Sequence, residues 1–238
     1  MKFYSAWYCP FAQRAWMTLL HKQLDFEYIE VDPYQESQWW KKTSRNTCKV
    51  PVIEYPNQNG VGITTIVDST RVVEFLNELF PDKNPLFPKE PEARAEQRYW
   101  MDYINHQIVP YFYRFLTAKD EDDYREESKN KLLNNLSVII SQMSDDGPYF
   151  SGTNINAQDI LLAPFAYRIN LLLKHYRNFQ LPVEGQVWAR YENWFQKIIT
   201  EAVFQNTSTN FKNYDQRLIE FYEPYSHGGG QNDVTKLT

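Results

Sequence analysis

The chain has 238 residues, enough for one large domain or two smaller ones. Hydrophobic residues make up 42% of it and charged residues 23%, which is ordinary for a globular protein with a buried core. Its net charge of −5 argues against nucleic acid or an anionic membrane as the main partner.

Cysteine and histidine usage narrows the classes further. The two cysteines, Cys9 and Cys48, do not make a disulfide framework, and the four scattered histidines show no zinc-site spacing, so we expect no metal. The first residues lack the apolar core of a signal peptide, and no run approaches the ~18 apolar residues that would span a bilayer. We therefore expect a protein of a reducing compartment, most simply the cytoplasm, that does not bind membranes.

The first distinctive feature is a cysteine placed directly before a proline. Residues 2–5 read as a short strand, and the residues after Pro10 repeat apolar pairs at four-residue spacing, as one face of a helix does. Proline is favoured at the first helical position, since its missing N–H would have no partner there. This pattern predicts that Cys9 is the N-cap of the helix.

A thiol at a helix N-terminus is a candidate nucleophile. Its pKa falls from about 8.5 to roughly 3.5–7.5, and the thiolate is the form that attacks. The alternative is a buried structural cysteine, but the strand-to-helix turn favours a reactive Cys9. Position 12 is alanine, so there is no C-x-x-C pair, and a lone thiol needs an outside thiol to complete a redox cycle. Glutathione is the obvious supplier.

The next 60 residues predict a small α/β domain with a mixed sheet. The expected elements are a strand at 26–31, a short helix at 36–42, strands at 49–54 and 63–67, and a helix that starts with Ser69 as its N-cap and stops at Pro81. The isomer of the bond before Pro51 stays open at this point.

Beyond residue 80 the pattern changes to helices alone. Residues 81–91 hold four prolines and predict a linker. The expected helical stretches are 92–117 with a kink at Pro110, a second helix that begins in the charged run 119–131, one opened by an Asn156–Asp159 capping box, one at about 187–203 and one at about 211–222. Residues 226–238 are glycine-rich and predict a disordered tail.

Several ordered motifs resemble the cysteine-type glutathione transferases, particularly the omega and lambda classes. The closest match to their signature is Tyr8-Cys9-Pro10-Phe11-Ala12-Gln13-Arg14, and the others are residues 49–54, Asp68-Ser69, residues 146–152, Asn156-x-x-Asp159 and residues 163–168. The similarity runs from residue 1 to about 200. Two departures leave the class open: the acid before Ser69 is Asp where Glu is commoner, and no basic residue stands near Asp32-Pro33-Tyr34.

The resemblance implies the glutathione transferase architecture, with an α/β N-terminal thioredoxin-like domain and an all-α C-terminal domain. The implied boundaries are 1–80 for the glutathione-binding domain, 81–91 for the linker, 92–225 for the second-substrate domain and 226–238 for the tail. It also implies that Cys9 is the catalytic residue. The implied glutathione-binding residues are Phe11, Lys49, Val50 with Pro51, Asp68 and Ser69.

A second-substrate pocket is implied in the helical domain. Arg168 stands where omega-class members have an arginine facing that pocket, and the other candidate lining residues are Trp100, Tyr103, Tyr167 and Tyr214. Aromatic residues at helical spacing also occur in ordinary helical cores, which is the alternative for all four. Cys48 is either a regulatory thiol or a packed bystander.

The leading hypothesis for function is a glutathione-dependent thiol transferase or reductase that acts through a glutathionylated Cys9. Deglutathionylation and dehydroascorbate reduction are the expected activities, with glutathione as co-substrate and no metal. The alternatives are a conjugating glutathione transferase and a non-catalytic ligand-binding protein similar to the chloride intracellular channel proteins. Most such transferases pair as two-fold dimers, so the expected assembly is a homodimer.

Overall fold

The computed structural model describes residues 1–35, 37–57, 61–119 and 124–229. These residues form two compact units. The first comprises Met1–Leu86 together with Asn206–Ser208, and the second comprises Phe87–Gln205 together with the chain from Thr209 onward.

The first unit is built on a four-stranded mixed sheet. Its strands are β1 (Lys2–Ser5), β2 (Glu27–Glu30), β3 (Val52–Pro56) and β4 (Ile63–Val67). Their order is β2-β1-β3-β4, with β1 parallel to β2 and antiparallel to β3, and β3 antiparallel to β4. The C-terminal end of β2 and the start of β3 therefore flank the C-terminal end of β1 on opposite sides.

Three helices accompany this sheet: α1 (Pro10–His21), α2 (Gln38–Thr43) and α3 (Ser69–Leu79). Successive side chains of β1 point to opposite faces of the sheet, so Phe3 and Tyr4 belong to different buried clusters. The Phe3 cluster also contains Ala15, Leu19, Ile53, Val72 and Leu76. The Tyr4 cluster also contains Ala6, Ala12, Val31, Trp40, Val50 and Val52. These elements confirm the predicted mixed α/β arrangement.

A buried lysine lies at the C-terminal end of α1. Lys22, the C-cap residue of that helix, is fully buried, and its ammonium donates to the carbonyl oxygens of Phe80 at 3.1 Å, Lys83 at 2.9 Å and Asn84 at 3.4 Å. Burial lowers the pKa of Lys22 to about 8. The side chain therefore ties α1 to the segment that follows α3.

The described residues of the second unit are arranged as helices. In order they are α4 (Pro91–Tyr103), a π-helical segment (Ile104–Ile108), α5 (Val109–Thr117), α6 (Tyr124–Ile140), α7 (Ala157–Arg168), a second π-helical segment (Ile169–Leu173), α8 (Lys174–Arg177), α9 (Gln186–Thr200), α10 (Ala202–Gln205) and α11 (Tyr214–Ser226). Near Pro110, where a kink is predicted, the chain takes a π-helical turn directly before α5, the helix that holds this proline.

The start of α7 carries the predicted capping box. The Asn156 side chain accepts from the Gln158 and Asp159 N–H groups, and the Asp159 carboxylate accepts from the Asn156 N–H at 2.8 Å. Asp159 is fully buried and also accepts from the Phe150 N–H at 3.0 Å and the Trp194 indole N–H at 2.7 Å. One side chain thus joins α7 to its lead-in segment and to α9.

The sequence did not predict the short helix α8, and other differences from the sequence predictions concern element ends. The last helix extends to Ser226, so the predicted tail starts inside it, and residues 230–238 lie outside the described part of the chain. Residues 120–123 of the charged run also lie outside it, and α6 is described from Tyr124. Over the described ranges, the structure contains no helix with the length and apolarity needed to cross a membrane.

Candidate active site

The structure confirms Cys9 as the N-cap of α1. Its backbone is extended, with φ −78° and ψ 117°, Pro10 follows at the first helical position, and its side chain makes no capping hydrogen bond. The Cys9 N–H donates to Ala6 O at 2.9 Å and its carbonyl accepts from the Gln13 N–H at 3.0 Å. The partly buried sulfur therefore lies at the positive end of the helix dipole, which stabilises a thiolate.

The loop before β3 lies against this thiol. The bond between Val50 and Pro51 is cis, and Cys9 Sγ lies 4.0 Å from Val50 O. Two hydroxyl groups hold the preceding turn, because Ser44 Oγ accepts from the Cys48 N–H at 3.0 Å and Thr47 Oγ1 accepts from the Lys49 N–H at 3.2 Å. An extended ligand backbone placed along Val50 would thus lie directly beside Cys9.

Cys48 and Lys49 occupy different surroundings within this loop. Cys48 is partly buried and packs against the Tyr4 cluster, as Cys9 does, whereas Lys49 is exposed. The expected roles stay predictions: Cys48 as a regulatory thiol or a packed bystander, and Lys49 as a glutathione-binding residue.

One sequence prediction at the start of α3 is wrong. The N-cap is Asp68, and Ser69 is the first helical residue. Asp68 adopts φ 77°, and its carboxylate accepts from the Thr70 N–H at 2.9 Å and the Arg71 N–H at 3.1 Å. Ser69 is buried, and its hydroxyl accepts from the Arg14 guanidinium at 3.3 Å. Asp68 is exposed and presents its carboxylate at the surface, while the Ser69 side chain faces the interior.

Arg14 is the residue at this site that the sequence prediction missed. It is fully buried on α1, its guanidinium lies 5.1 Å from the centre of the Phe11 ring, and it donates to Ser69. The side chain thereby joins two of the predicted glutathione-binding residues. A signal existed in the sequence, since Arg14 follows Phe11 by three residues and so shares its helix face.

Aromatic rings lie on the other side of the Cys9 loop. Trp7 and Tyr8 meet nearly at right angles with ring centres 5.7 Å apart, and Tyr8 stacks on Tyr34 with centres 6.4 Å apart and a 25° angle between planes. Burial raises the pKa of Tyr8, and the neighbouring Tyr34, Asp32 and Cys9 raise it further. The Tyr8 hydroxyl consequently stays protonated at neutral pH.

The five predicted second-substrate residues form two groups of contacts in the second unit. In the first group, Trp100 packs on Tyr103 with ring centres 5.3 Å apart, and the Tyr103 hydroxyl donates to Asn135 Oδ1 at 3.4 Å. Both side chains are partly exposed. The Trp100 ring also contacts that of exposed Tyr99 in α4.

The second group contains Tyr167, Arg168 and Tyr214. Arg168 is fully buried, and it donates to Pro164 O at 2.8 Å and to the Tyr214 hydroxyl at 3.4 Å. Tyr167 donates to the Asp215 carboxylate, and its ring packs on Tyr214 with centres 6.1 Å apart. These contacts favour a packing role for Arg168 and Tyr214, and their place in a substrate pocket stays a prediction.

Comparison with known proteins agrees with this architecture. Residues 8–79 match the family described as "Glutathione S-transferase, N-terminal domain". "Glutathione S-transferase U28" of Arabidopsis thaliana is 30% identical over 159 residues, covering 67% of this chain and 68% of that protein. "Probable glutathione S-transferase DHAR2, chloroplastic" of Oryza sativa subsp. japonica is 29% identical over 174 residues, which are 73% of this chain and 57% of the rice protein. The chain thus spans little more than half of that relative.

A solved structure extends the similarity to the whole fold. Glutathione transferase Omega 3C from Trametes versicolor superposes with a TM-score of 0.77 at 29% identity, over 94% of this chain and 89% of that one. The two units are therefore a thioredoxin-like α/β domain and an all-helical domain, the architecture expected from the sequence. The chain belongs to the glutathione transferase family, with relatives of the omega and DHAR types. Membership of this family supports glutathione binding.

Proposed function

We propose that this protein is a glutathione-dependent thiol transferase and reductase that acts through a covalent adduct on Cys9. The observation that carries the proposal is the position of Cys9. It is an N-cap thiol at the start of a 12-residue helix, with no side-chain capping bond of its own and with the Val50–Pro51 loop beside its sulfur. A helix N-terminus stabilises the thiolate both as attacking group and as leaving group.

The reaction takes two balanced thiol–disulfide exchanges. The Cys9 thiolate attacks the glutathionyl sulfur of a mixed disulfide, forms a Cys9–glutathione disulfide and releases the other half of the substrate as a thiolate, which takes up a proton from water. A glutathione thiolate then attacks the glutathionyl sulfur on Cys9. Oxidised glutathione leaves, and the Cys9 thiolate is restored.

The proposed glutathione site uses the residues around Cys9 in the first unit. The Val50 backbone beside cis-Pro51 pairs with the cysteinyl part of glutathione, and Phe11 lines the thiol. Asp68 accepts from the γ-glutamyl amine, while the N-terminus of α3 at Ser69 receives the γ-glutamyl carboxylate. Lys49, exposed beside Val50, reaches a glutathione carboxylate. The exposed carboxylate of Asp68 and the short distance from Val50 O to Cys9 support this arrangement.

A conjugating transferase is the second candidate, because the relative from Arabidopsis thaliana is named as a glutathione S-transferase without the DHAR designation. Conjugation needs a hydroxyl that stabilises the glutathione thiolate. Tyr4 donates to Glu54 and Ser5 is fully buried, so Tyr8 is the remaining candidate of the three hydroxyls near the turn. Its raised pKa keeps it a donor.

Intact-mass spectrometry separates the two candidates. After incubation with oxidised glutathione, we expect one glutathione adduct that excess reduced glutathione removes. The adduct is expected in Cys48→Ser and absent in Cys9→Ser. A Cys9→Ser protein that still forms the adduct, or a wild-type protein that binds glutathione without forming it, contradicts the covalent mechanism and favours conjugation or ligand carriage. Dehydroascorbate reduction, a cytoplasmic location and a homodimer remain predictions, testable by activity assay, imaging and light scattering.

A further inference from the structure

The surface beside Cys9 that carries Trp7, Tyr8 and Tyr34 also carries the carboxylates of Glu30 and Asp32. We refer to these five residues as the aromatic–acidic face. Tyr34 is 49% exposed, and Trp7 and Tyr8 are partly exposed. The rings offer flat apolar surface whose faces carry negative electrostatic potential, which attracts cations.

Hydrogen bonds to the backbone fix both carboxylates. Glu30 Oε1 accepts from the Trp7 N–H at 3.1 Å, and its other oxygen accepts from the Tyr28 hydroxyl. Asp32 Oδ1 accepts from the Tyr34 N–H at 3.0 Å. Within the described parts of the chain, neither carboxylate forms an ion pair, so both charges remain available to a ligand.

Sheet topology places this face next to the reactive sulfur. Glu30 pairs with Ser5 in the β1–β2 register, so the end of β2 lies beside the turn that leads from β1 to Cys9. After burial and Tyr34, the charges of Asp32, Cys9 and Glu30 each raise the pKa of Tyr8. One hydroxyl is therefore within electrostatic reach of the thiol and of both carboxylates.

The opposite side of the same turn carries the opposite charge. The start of β3 pairs with the end of β1 on the side away from β2, and the residues between α2 and β3 include two exposed bases, Arg45 and Lys49, and no acid. Glutathione has a net negative charge at neutral pH, so Lys49, which directly precedes Val50, suits the glutathione half of a substrate. The other half then leaves toward β2.

We infer that the aromatic–acidic face selects the leaving thiol of the second substrate by charge, so that glutathione mixed disulfides of cationic thiols are preferred over those of anionic thiols. The inference rests on the proposed function, since it concerns the thiol released when Cys9 takes up the glutathionyl group. In that exchange the bond between the two substrate sulfurs breaks, the Cys9–glutathione bond forms, and the departing thiolate carries away the bonding electron pair. A positive group on the departing molecule gains attraction from Glu30, Asp32 and the exposed Tyr34 ring.

The expected preference is moderate. Both carboxylates are exposed, and salt screens exposed charges over about 8–10 Å at ordinary ionic strength. We expect the effect on kcat/KM to be about three- to tenfold in low salt and to shrink as salt is added.

Three small mixed disulfides of glutathione test the inference. Their partner thiols are cysteamine, 2-mercaptoethanol and mercaptoacetate, which are similar in size and carry a positive, zero and negative charge. The measured quantity is the ratio of kcat/KM for the cationic and anionic disulfides. Comparing this ratio between variants cancels the different acidities of the leaving thiols, because every variant meets the same two substrates.

The decisive variant is Glu30→Gln with Asp32→Asn, which removes both charges and keeps an acceptor for each backbone N–H. Its matched control is Asp25→Asn with Glu27→Gln, which removes two exposed charges at the other end of β2. We expect the ratio to fall about three- to tenfold in the first variant and to stay at the wild-type value in the control. An equal ratio in wild type and the Glu30/Asp32 variant overturns the inference.

The ring contribution is tested separately. Tyr34→Ala is expected to lower kcat/KM for the cationic disulfide about two- to fivefold and to leave the anionic one unchanged, while Tyr34→Phe keeps the wild-type value. An equal loss for both charged disulfides in Tyr34→Ala would show that the ring acts without regard to charge and would overturn its part in the inference.

The neutral disulfide distinguishes failure of the inference from failure of the proposed function. If the wild-type protein does not turn over the neutral disulfide, both the proposed function and the inference that rests on it are wrong. Turnover of the neutral disulfide, together with a charge ratio that the Glu30/Asp32 variant leaves unchanged, overturns the inference alone.

Discussion

Two helices of equal length begin in opposite ways in this protein. Helix α1 and helix α7 both have 12 residues, but the first starts at Cys9 without a side-chain capping bond and the second starts at a complete capping box. At α7 the N-cap side chain, Asn156, accepts from the Gln158 and Asp159 N–H groups, and the buried Asp159 accepts three further N–H groups from its surroundings. At α1 the N-cap position holds the Cys9 thiol beside the Val50–Pro51 loop. The positive end of the helix dipole therefore meets a side-chain cap at α7 and a thiol at α1.

The sharpest test of this comparison removes the thiol at α1. Cys9→Ser is expected to reduce thiol transfer to the background rate, because serine is a far weaker nucleophile and leaving group at neutral pH. Its free energy of unfolding is expected to stay the same or rise slightly, since serine is a good N-cap residue. Steady-state kinetics and chemical denaturation measure the two effects, with Cys48→Ser as the control for both. Retention of full activity in Cys9→Ser would contradict a catalytic role for the thiol at the start of α1.

The converse test removes the carboxylate at α7. Asp159→Ala leaves three donors without their acceptor in a fully buried position, which is expected to cost about 3 kcal/mol of unfolding free energy. Asp159→Asn keeps one carbonyl acceptor and is expected to lose less. Urea denaturation followed by tryptophan fluorescence reports the change. A loss of unfolding free energy below about 0.5 kcal/mol for the alanine variant would mean that the Asp159 hydrogen bonds do not stabilise the fold.

The C-terminal end of α1 provides an internal contrast to its N-terminus. Lys22→Met leaves three carbonyl oxygens without their ammonium donor and is expected to cost about 2 kcal/mol, while Lys2→Met at an exposed position is expected to cost little.

The Lys22 contribution also predicts a pH dependence. The folded state releases the Lys22 proton near its lowered pKa of about 8, whereas the unfolded chain keeps it until about 10.5, so the unfolded state binds more protons between these values. Stability of wild type relative to Lys22→Met is therefore expected to rise as pH increases from 8 to 10.5 and to be constant below 8. Paired denaturation curves at pH 7, 9 and 10 measure it. A falling difference would contradict the prediction.

The smallest expected effect concerns α3, where one carboxylate serves both as a cap and as a proposed ligand group. Asp68→Ala is expected to cost about 1 kcal/mol of unfolding free energy through loss of the cap. Asp68→Asn keeps an equally good cap and is expected to leave stability unchanged, but to raise KM for glutathione because the charge is lost. Denaturation and glutathione titration together separate the two roles. Equal KM values in wild type and Asp68→Asn would remove Asp68 from the proposed site.

The features that depend on neighbouring residues could be predicted from the sequence. Proline after cysteine fixes the start of α1, apolar spacing fixes its buried face, and Asn156 with Asp159 fixes the start of α7, because each of these preferences acts within one helical turn. The change from strand and helix patterns to helices alone likewise predicted both parts of the fold. The family resemblance added the roles of Cys9 and of the proposed glutathione-binding residues.

Other features depend on residues that the fold brings together from distant parts of the chain. Asp68 and Ser69 are both good N-cap residues, so neighbouring sequence could not choose between them. In the folded protein, Arg14 of α1 donates a hydrogen bond to the Ser69 hydroxyl, and Asp68 caps α3. Gln13 donates to Thr207, 194 residues away, and no local pattern could indicate this bond. Likewise, the pairing of β1 with β2 brings Glu30 beside the Cys9 turn, because strand order is decided by packing of the whole sheet.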